Sequence, residues 1–174
     1  MNPYEKLLNR KRKWTPVQVT KGKVKVGAEE TLKRVLAIHH MELPVGAFVT
    51  DALEKGVPDK AREVLLSNVK DEENHDKALD YVVQAHGLDE KSEREALILR
   101  DAWMSHPDHT LLKSLTAERA IFFVLLPFLR FNGDVGMRTT SMDISRDEQI
   151  HVAVGSLVTC LLYTSDAADE GLGV

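Results

Sequence analysis

The sequence predicts an all-α fold: a bundle of four long helices with a long helical crossover between the second and third. Three observations carry this. Apolar residues recur every three or four positions through four long stretches. Prolines and glycines fall between those stretches rather than at random. Strand-like alternation is confined to residues 17–26, where Gly22 weakens it.

The first stretch, residues 28–54, aligns Leu32, Val35, His39, Glu42, Gly46, Val49 and Leu53. Pro44 lies inside it and is expected to kink the helix, because it lacks an amide donor and crowds the preceding turn. The second stretch, residues 58–85, aligns Ala61, Leu65, Asn68, Glu72, His75, Leu79 and Val82. Pro58 suits its first turn and Gly87 its stop. Residues 89–104 form a shorter, more charged helical pattern that ends at Ser105-His106-Pro107. The third long helix, residues 108–131, aligns Leu111, Leu115, Glu118, Phe122, Leu125 and Leu129, and Asn132-Gly133 breaks it. The fourth, residues 135–158, aligns Met137, Ser141, Ile144, Glu148, His151, Gly155 and Val158. Two short turns and one long middle connection give the ferritin-like connectivity, with residues 89–104 in the crossover.

Composition excludes several classes. Of 174 residues 43% are hydrophobic and 29% charged, enough to bury a core. A net charge of −4, from 23 basic and 27 acidic residues, gives no reason to expect a nucleic-acid partner. No apolar run is long enough for a membrane span, and the polar, basic N-terminus lacks a leader-like apolar segment, so a cytoplasmic location is expected. Cys160 is the sole cysteine, which leaves oxygen and imidazole as the metal donors.

Each apolar stripe carries a carboxylate where leucine would be expected: Glu42, Glu72, Glu118 and Glu148. Ionised carboxylates are almost never buried unless they are paired or bind metal. Two of the four have a histidine one turn on, Glu72-x-x-His75 and Glu148-x-x-His151, which places both donors on one helix face. The pattern alone is weak, and spacing strengthens it. Glu42 and Glu72 are 30 residues apart, as are Glu118 and Glu148. Their midpoints fall at Val57, inside a Gly-Val-Pro turn, and at Gly133. In an antiparallel hairpin, positions equally far from the turn lie level, here about 22 Å below it. One Glu from each of two helices and Glu-x-x-His from each of the other two is a di-iron or di-manganese donor set. Asp71 and Asp147 precede the two motifs and suit the partner carboxylate that a ligating histidine requires, each serving the other hairpin's histidine.

These residues resemble the ferritin-like di-iron carboxylate superfamily over residues 31–158. The segments Ser145-Arg146-Asp147-Glu148-Gln149-Ile150-His151 and Ala117-Glu118-Arg119-Ala120-Ile121-Phe122-Phe123 are similar to metal-binding helices of the class I ribonucleotide reductase small subunit. The doubled Asp-Glu-x-x-His is similar to that of bacterial multicomponent monooxygenases. The resemblance implies two iron ions, or manganese, or a mixed pair, that activate dioxygen in an oxidase, an oxygenase or a radical-generating subunit. It implies a substrate or partner subunit that the sequence does not identify. A ferritin-type ferroxidase or iron-storage protein is the alternative, and a metal-free structural bundle is a third reading. Leu79 stands where the reductase subunit often carries its radical tyrosine, and Tyr81 is turned away from that face.

His39, three residues before Glu42, is either a further ligand or hydrogen-bond partner of the site, or a polar core residue. His40, His86, His106 and His109 have no partner spacing and read as surface or capping residues. Phe122, Phe123, Phe128 and Phe131 read as core, or as the wall of an apolar substrate pocket. Trp103 reads as packing, with electron transfer the alternative. Residues 1–27 form a basic arm, expected to be solvated and mobile, with residues 28–159 as the bundle. Residues 160–170 resemble a translated sequencing-library adapter, so residues 160–174 are expected to be an artefact or a disordered tail. A helix ending at Thr159 would leave apolar faces uncovered, which favours a longer natural chain or a partner such as a second copy.

Overall fold

A computed structural model describes residues 2–170, with side chains for residues 2–164. Among the described residues every regular element is helical. The elements are α1 (Pro3–Leu8), α2 (Glu29–Leu36), α3 (His39–Lys55), α4 (Asp59–His86), α5 (Glu90–Met104), α6 (Thr110–Ala120), α7 (Leu126–Asn132) and α8 (Val135–Glu170). A π-helical stretch, Ile121–Leu125, joins α6 to α7. Helix α3 packs on α4 and α6, and α8 packs on the same two helices, so the four long segments surround one interior. Among the described residues no helix is long and apolar enough to cross a membrane.

Three departures from the expected pattern have local causes. The first helix breaks at Ala37-Ile38 rather than at Pro44, which stays inside α3. Pro44 offers no amide to the His40 carbonyl, and the preceding turn tightens: His40 N and Met41 N bond to Ala37 O and Ile38 O three residues back. The third helix contains the π-helical stretch, in which Leu126 N bonds to Ile121 O. Pro127, which has no amide for Phe123 O, lies just beyond it. The extra residue rotates the buried stripe onto Ile121 and Leu126 in place of the expected Phe122 and Leu125. Phe123 and Phe131 are exposed, so neither belongs to the core. The fourth helix continues past Val158 to Glu170, and Leu162 packs on the core. The last four residues of the expected tail lie outside the described residues.

The interior is two apolar clusters separated by a polar layer. Leu36, Val45, Leu79, Ile121, Leu126 and Ile144 lie on one side. Val49, Leu65, Leu111, Ile150, Val154 and Val158 lie on the other. Between them run the positions of Glu42, Glu72, His75, Glu118, Glu148 and His151, all buried.

The two hairpin turns hold that layer level. Gly56 ends α3 at φ 110°, a conformation that side chains oppose. Gly133 is required by space: a Cβ there would lie 2.5 Å from both the Leu129 carbonyl oxygen and Met137 Cβ. Gly133→Ala is expected to lower the unfolding free energy by about 1–3 kcal/mol, read from urea denaturation.

The arm is folded onto the bundle instead of being solvated. Leu7 is buried beside α4 and α8. Lys25 N bonds to Asn132 O at 2.8 Å and Gly22 N to Asp134 at 2.6 Å. The alternation in residues 17–26 reflects an extended chain without a ladder: Val19 and Val24 pack on the core, and Val17 and Val26 face out.

Candidate metal centre

The polar layer has a two-fold pattern. The Nδ1 of His75 faces Glu42 at 3.6 Å, Glu72 at 3.4 Å and Glu148 at 3.5 Å. The Nδ1 of His151 faces Glu118 at 3.1 Å, Glu72 at 3.1 Å and Glu148 at 3.9 Å. Glu72 and Glu148 each turn one oxygen toward each imidazole, whereas Glu42 serves only His75 and Glu118 only His151. The rings are 5.4 Å apart between centroids.

Each histidine presents its other nitrogen to the opposite hairpin. His75 Nε2 lies 3.3 Å from Asp147, and His151 Nε2 lies 3.0 Å from Asp71. A proton on Nε2 shared with aspartate leaves the Nδ1 lone pair aimed at the carboxylates, the tautomer a metal ligand needs.

The protein alone leaves this layer unsatisfied. Both oxygens of Glu42, Glu72 and Glu148, and Nδ1 of His75, are buried without a hydrogen-bond donor or acceptor in place. Orphaned buried carboxylate oxygens are costly, and a cation is the usual remedy. Donors bound to one metal at about 2.0–2.2 Å stand roughly 3–3.6 Å apart, and every carboxylate–Nδ1 separation given above falls in that span except Glu148–His151 at 3.9 Å. Four glutamates carry four negative charges when ionised, which two divalent ions would match. The cluster has the composition and geometry to bind metal ions; Glu72, His75, Glu148 and His151 each bring a donor atom within 4.8 Å of the others.

The titration behaviour has the same origin. Burial raises Glu42 to about 7, and the Glu72 charge adds to this against the pull of His75. Burial and the Glu118, Glu72 and Glu42 carboxylates push Glu148 well above the usual range. Burial also pushes Glu72 up, but His151 and His75 outweigh it and hold Glu72 below its usual range. Burial would depress both imidazoles, yet the surrounding carboxylates raise both well above the ordinary histidine value.

Lys11, Arg12 and Trp14, inside the arm expected to be mobile, complete the outer ring. Lys11 pairs with Asp71 and donates to Asn68 at 2.7 Å. Arg12 Nε lies 3.4 Å from Asp147, and its guanidinium also pairs with Asp143 at 3.0 Å. Trp14 Nε1 donates to Asp147 at 2.6 Å, and its ring stacks on His75 at 6.3 Å. Burial raises Asp147, but its bonds to His75 and Trp14, with the His75 and Arg12 charges, hold it below its usual range. The sequence offers one signal for this: two aspartates beside buried motifs need cations, and residues 10–13 are the densest basic run. Trp14→Phe keeps the stacking ring and removes the donor. Metal affinity is expected to fall about tenfold with helix content unchanged, read by metal titration and circular dichroism.

Other candidates lie elsewhere. His39 contacts His40 and Glu93, and no hydrogen bond or ion pair joins it to the six residues of the layer. His86, expected at the surface, pairs with Asp134 at 2.8 Å. His109 caps α6 by accepting from Leu111 N. Trp103 packs edge-on against Phe48 at 5.2 Å, and Lys77 lies over the Tyr81 ring. No protein-family model, curated protein or solved structure matches this chain.

Proposed function

We propose that the chain is a dinuclear iron, or iron–manganese, oxidoreductase that activates dioxygen, with Glu42, Glu72, His75, Glu118, Glu148 and His151 as ligands. The observation that carries this reading is the position of Glu72 and Glu148, each reaching toward both imidazoles across the bundle. Carboxylate-rich donors with two imidazoles suit iron and manganese better than copper or zinc. When bound, the pair would supply the electrons that reduce dioxygen. The chain's own residues do the rest. Glu42 and Glu118 cap opposite ends of the layer, Asp147 and Asp71 fix the imidazoles, and Lys11 and Arg12 neutralise those aspartates.

A groove beside the layer favours an organic substrate over iron storage. Its volume is about 490 Å³, within the span of small-molecule pockets, and Ile38, Met41, Trp103, Ala117, Ile121 and Leu125 line it. Met41 and Ala117, which directly precede the ligands Glu42 and Glu118 in the chain, tie this wall to the two helices that carry those carboxylates.

The test is to load iron(II) without oxygen, admit air, and follow oxygen uptake, iron content and products from apolar substrates. Uptake limited to two irons per chain, with oxidised product that Ala102→Phe suppresses without changing iron content, supports the reading. Accumulation of many irons as mineral, with no organic product, would favour the ferroxidase and storage alternative. Absence of iron binding would overturn both.

A further inference from the structure

A second group of donors lies outside the buried layer, where α5 meets the start of α3. We propose that His39, His40 and Glu93 form a separate site for one divalent transition-metal ion of the zinc class, which fastens α5 to α3. Glu93 Oε2 lies 3.6 Å from His39 Nε2 and also pairs with His40 Nε2. One donor atom from each of the three residues lies within 4.8 Å of the others. Bonds of about 2.0–2.2 Å in a tetrahedral site put donors roughly 3.3–3.6 Å apart, so Glu93 and His39 already stand at that separation and the close Glu93–His40 pair would open to admit an ion.

The surroundings argue for a cation rather than a lone ion pair. The three side chains are only 16%, 22% and 18% exposed. His39 Nε2 is buried and lacks a hydrogen-bond partner, although it is aimed at Glu93. The two rings lie 4.0 Å apart between centroids, and two imidazolium ions so close would repel. Neutral imidazoles present lone pairs instead, and one ion would satisfy both nitrogens and the carboxylate together. Asp76 of α4 acts electrostatically on both imidazoles and supplies a further negative charge nearby. Two nitrogen donors with one oxygen favour zinc-class ions over magnesium or calcium, and three protein ligands leave a fourth position for water.

The location gives the site a purpose. Helix α5 buries only Ser92, the residue before Glu93, so apolar burial holds it weakly. Leu99, Ala102 and Trp103 of the same helix form one wall of the apolar groove. A metal tie at Glu93 would set the position of that wall. The site shares no residue with the dinuclear layer, so its success or failure is independent of the oxidoreductase reading.

The test uses the full chain equilibrated with zinc or cobalt(II), with bound metal measured after removal of free ions. Glu148→Ala, which disrupts the dinuclear layer, is expected to retain one ion per chain, and adding His40→Ala is expected to remove it. In the otherwise unaltered chain, Glu93→Gln and His40→Ala are each expected to lower the content by one ion, or to weaken that ion's affinity at least tenfold. This arm holds even if Glu148→Ala fails to fold. Cobalt absorption bands of a four-coordinate site that vanish in His40→Ala would support the assignment. Unchanged stoichiometry and affinity in both His40→Ala and Glu93→Gln would overturn it and leave a histidine–glutamate ion pair only.

Discussion

Alanine at Glu148 is expected to remove both ions from the buried layer, whereas alanine at Glu42 or Glu118 removes chiefly one. The difference follows from which imidazole each carboxylate faces. Glu148 Oε1 is 3.5 Å from His75 Nδ1 and Oε2 is 3.9 Å from His151 Nδ1, so its loss strips a donor from each half. Glu42 faces His75 alone and Glu118 faces His151 alone. Removing Glu118 leaves the other half with His75, Glu42, Glu72 and Glu148 in place. With the outer site removed by His40→Ala, elemental analysis after iron(II) or manganese(II) loading should therefore give about two ions per chain, none once Glu148→Ala is added, and about one once Glu42→Ala or Glu118→Ala is added. Folding is checked by circular dichroism, because truncating a buried glutamate removes a repelling charge as well as a ligand. Equal losses from all three variants would refute the distinction between a carboxylate that faces both imidazoles and carboxylates that face one. Full metal content in Glu148→Ala would refute the layer as the metal site.

The features legible in the sequence are those set by spacing along one chain segment. The 30-residue separations put Glu42 level with Glu72 and Glu118 level with Glu148, because Val57 and Gly133 sit at the two turns. The boundaries of α4 and α5 were legible because Pro58, Gly87 and Asp89 act locally; Asp89 caps α5 by accepting from Ser92 N at 2.9 Å. Features that depend on distant partners were not legible. Lys11 and Trp14 find Asp71 and Asp147, 60 and 133 positions away, and local polarity marks such an arm as solvated. The π-helical stretch lay between these cases. Pro127 removes an amide locally, but periodicity alone could not show that an extra residue would make Ile121 and Leu126 the buried positions in place of Phe122 and Leu125.

The stabilisation that metal confers is expected to grow as pH rises from about 5 to 8, because protons and metal ions compete for the same donors. In the metal-free protein, Glu42 titrates at about 7 against an ordinary value of 4.5. Between those values the folded chain holds a proton that the unfolded chain has released, so stability falls as pH rises. At about 1.4 kcal/mol per pKa unit, this one group lowers stability on the order of 3 kcal/mol across that window. Glu148 is raised too and acts in the same direction. His75 and His151 are raised above 6.5, so their stabilisation is fully present below that value and is lost as pH climbs through their folded values. Glu72 and Asp147 are depressed, and their contribution is present above their ordinary values of 4.5 and 3.8 and lost only as pH falls through the folded ones. The layer's groups therefore favour mildly acidic conditions, near pH 5, in the metal-free protein. Metal binding requires both imidazoles neutral at Nδ1 and the glutamates ionised, so it gains what the protons give up. The metal-loaded protein should lose little stability over the same range. Melting temperatures with and without iron(II) or manganese(II), measured at intervals from pH 5 to 8, should diverge steadily. A constant difference would mean that the titrating groups of the layer are not the groups that hold the metal.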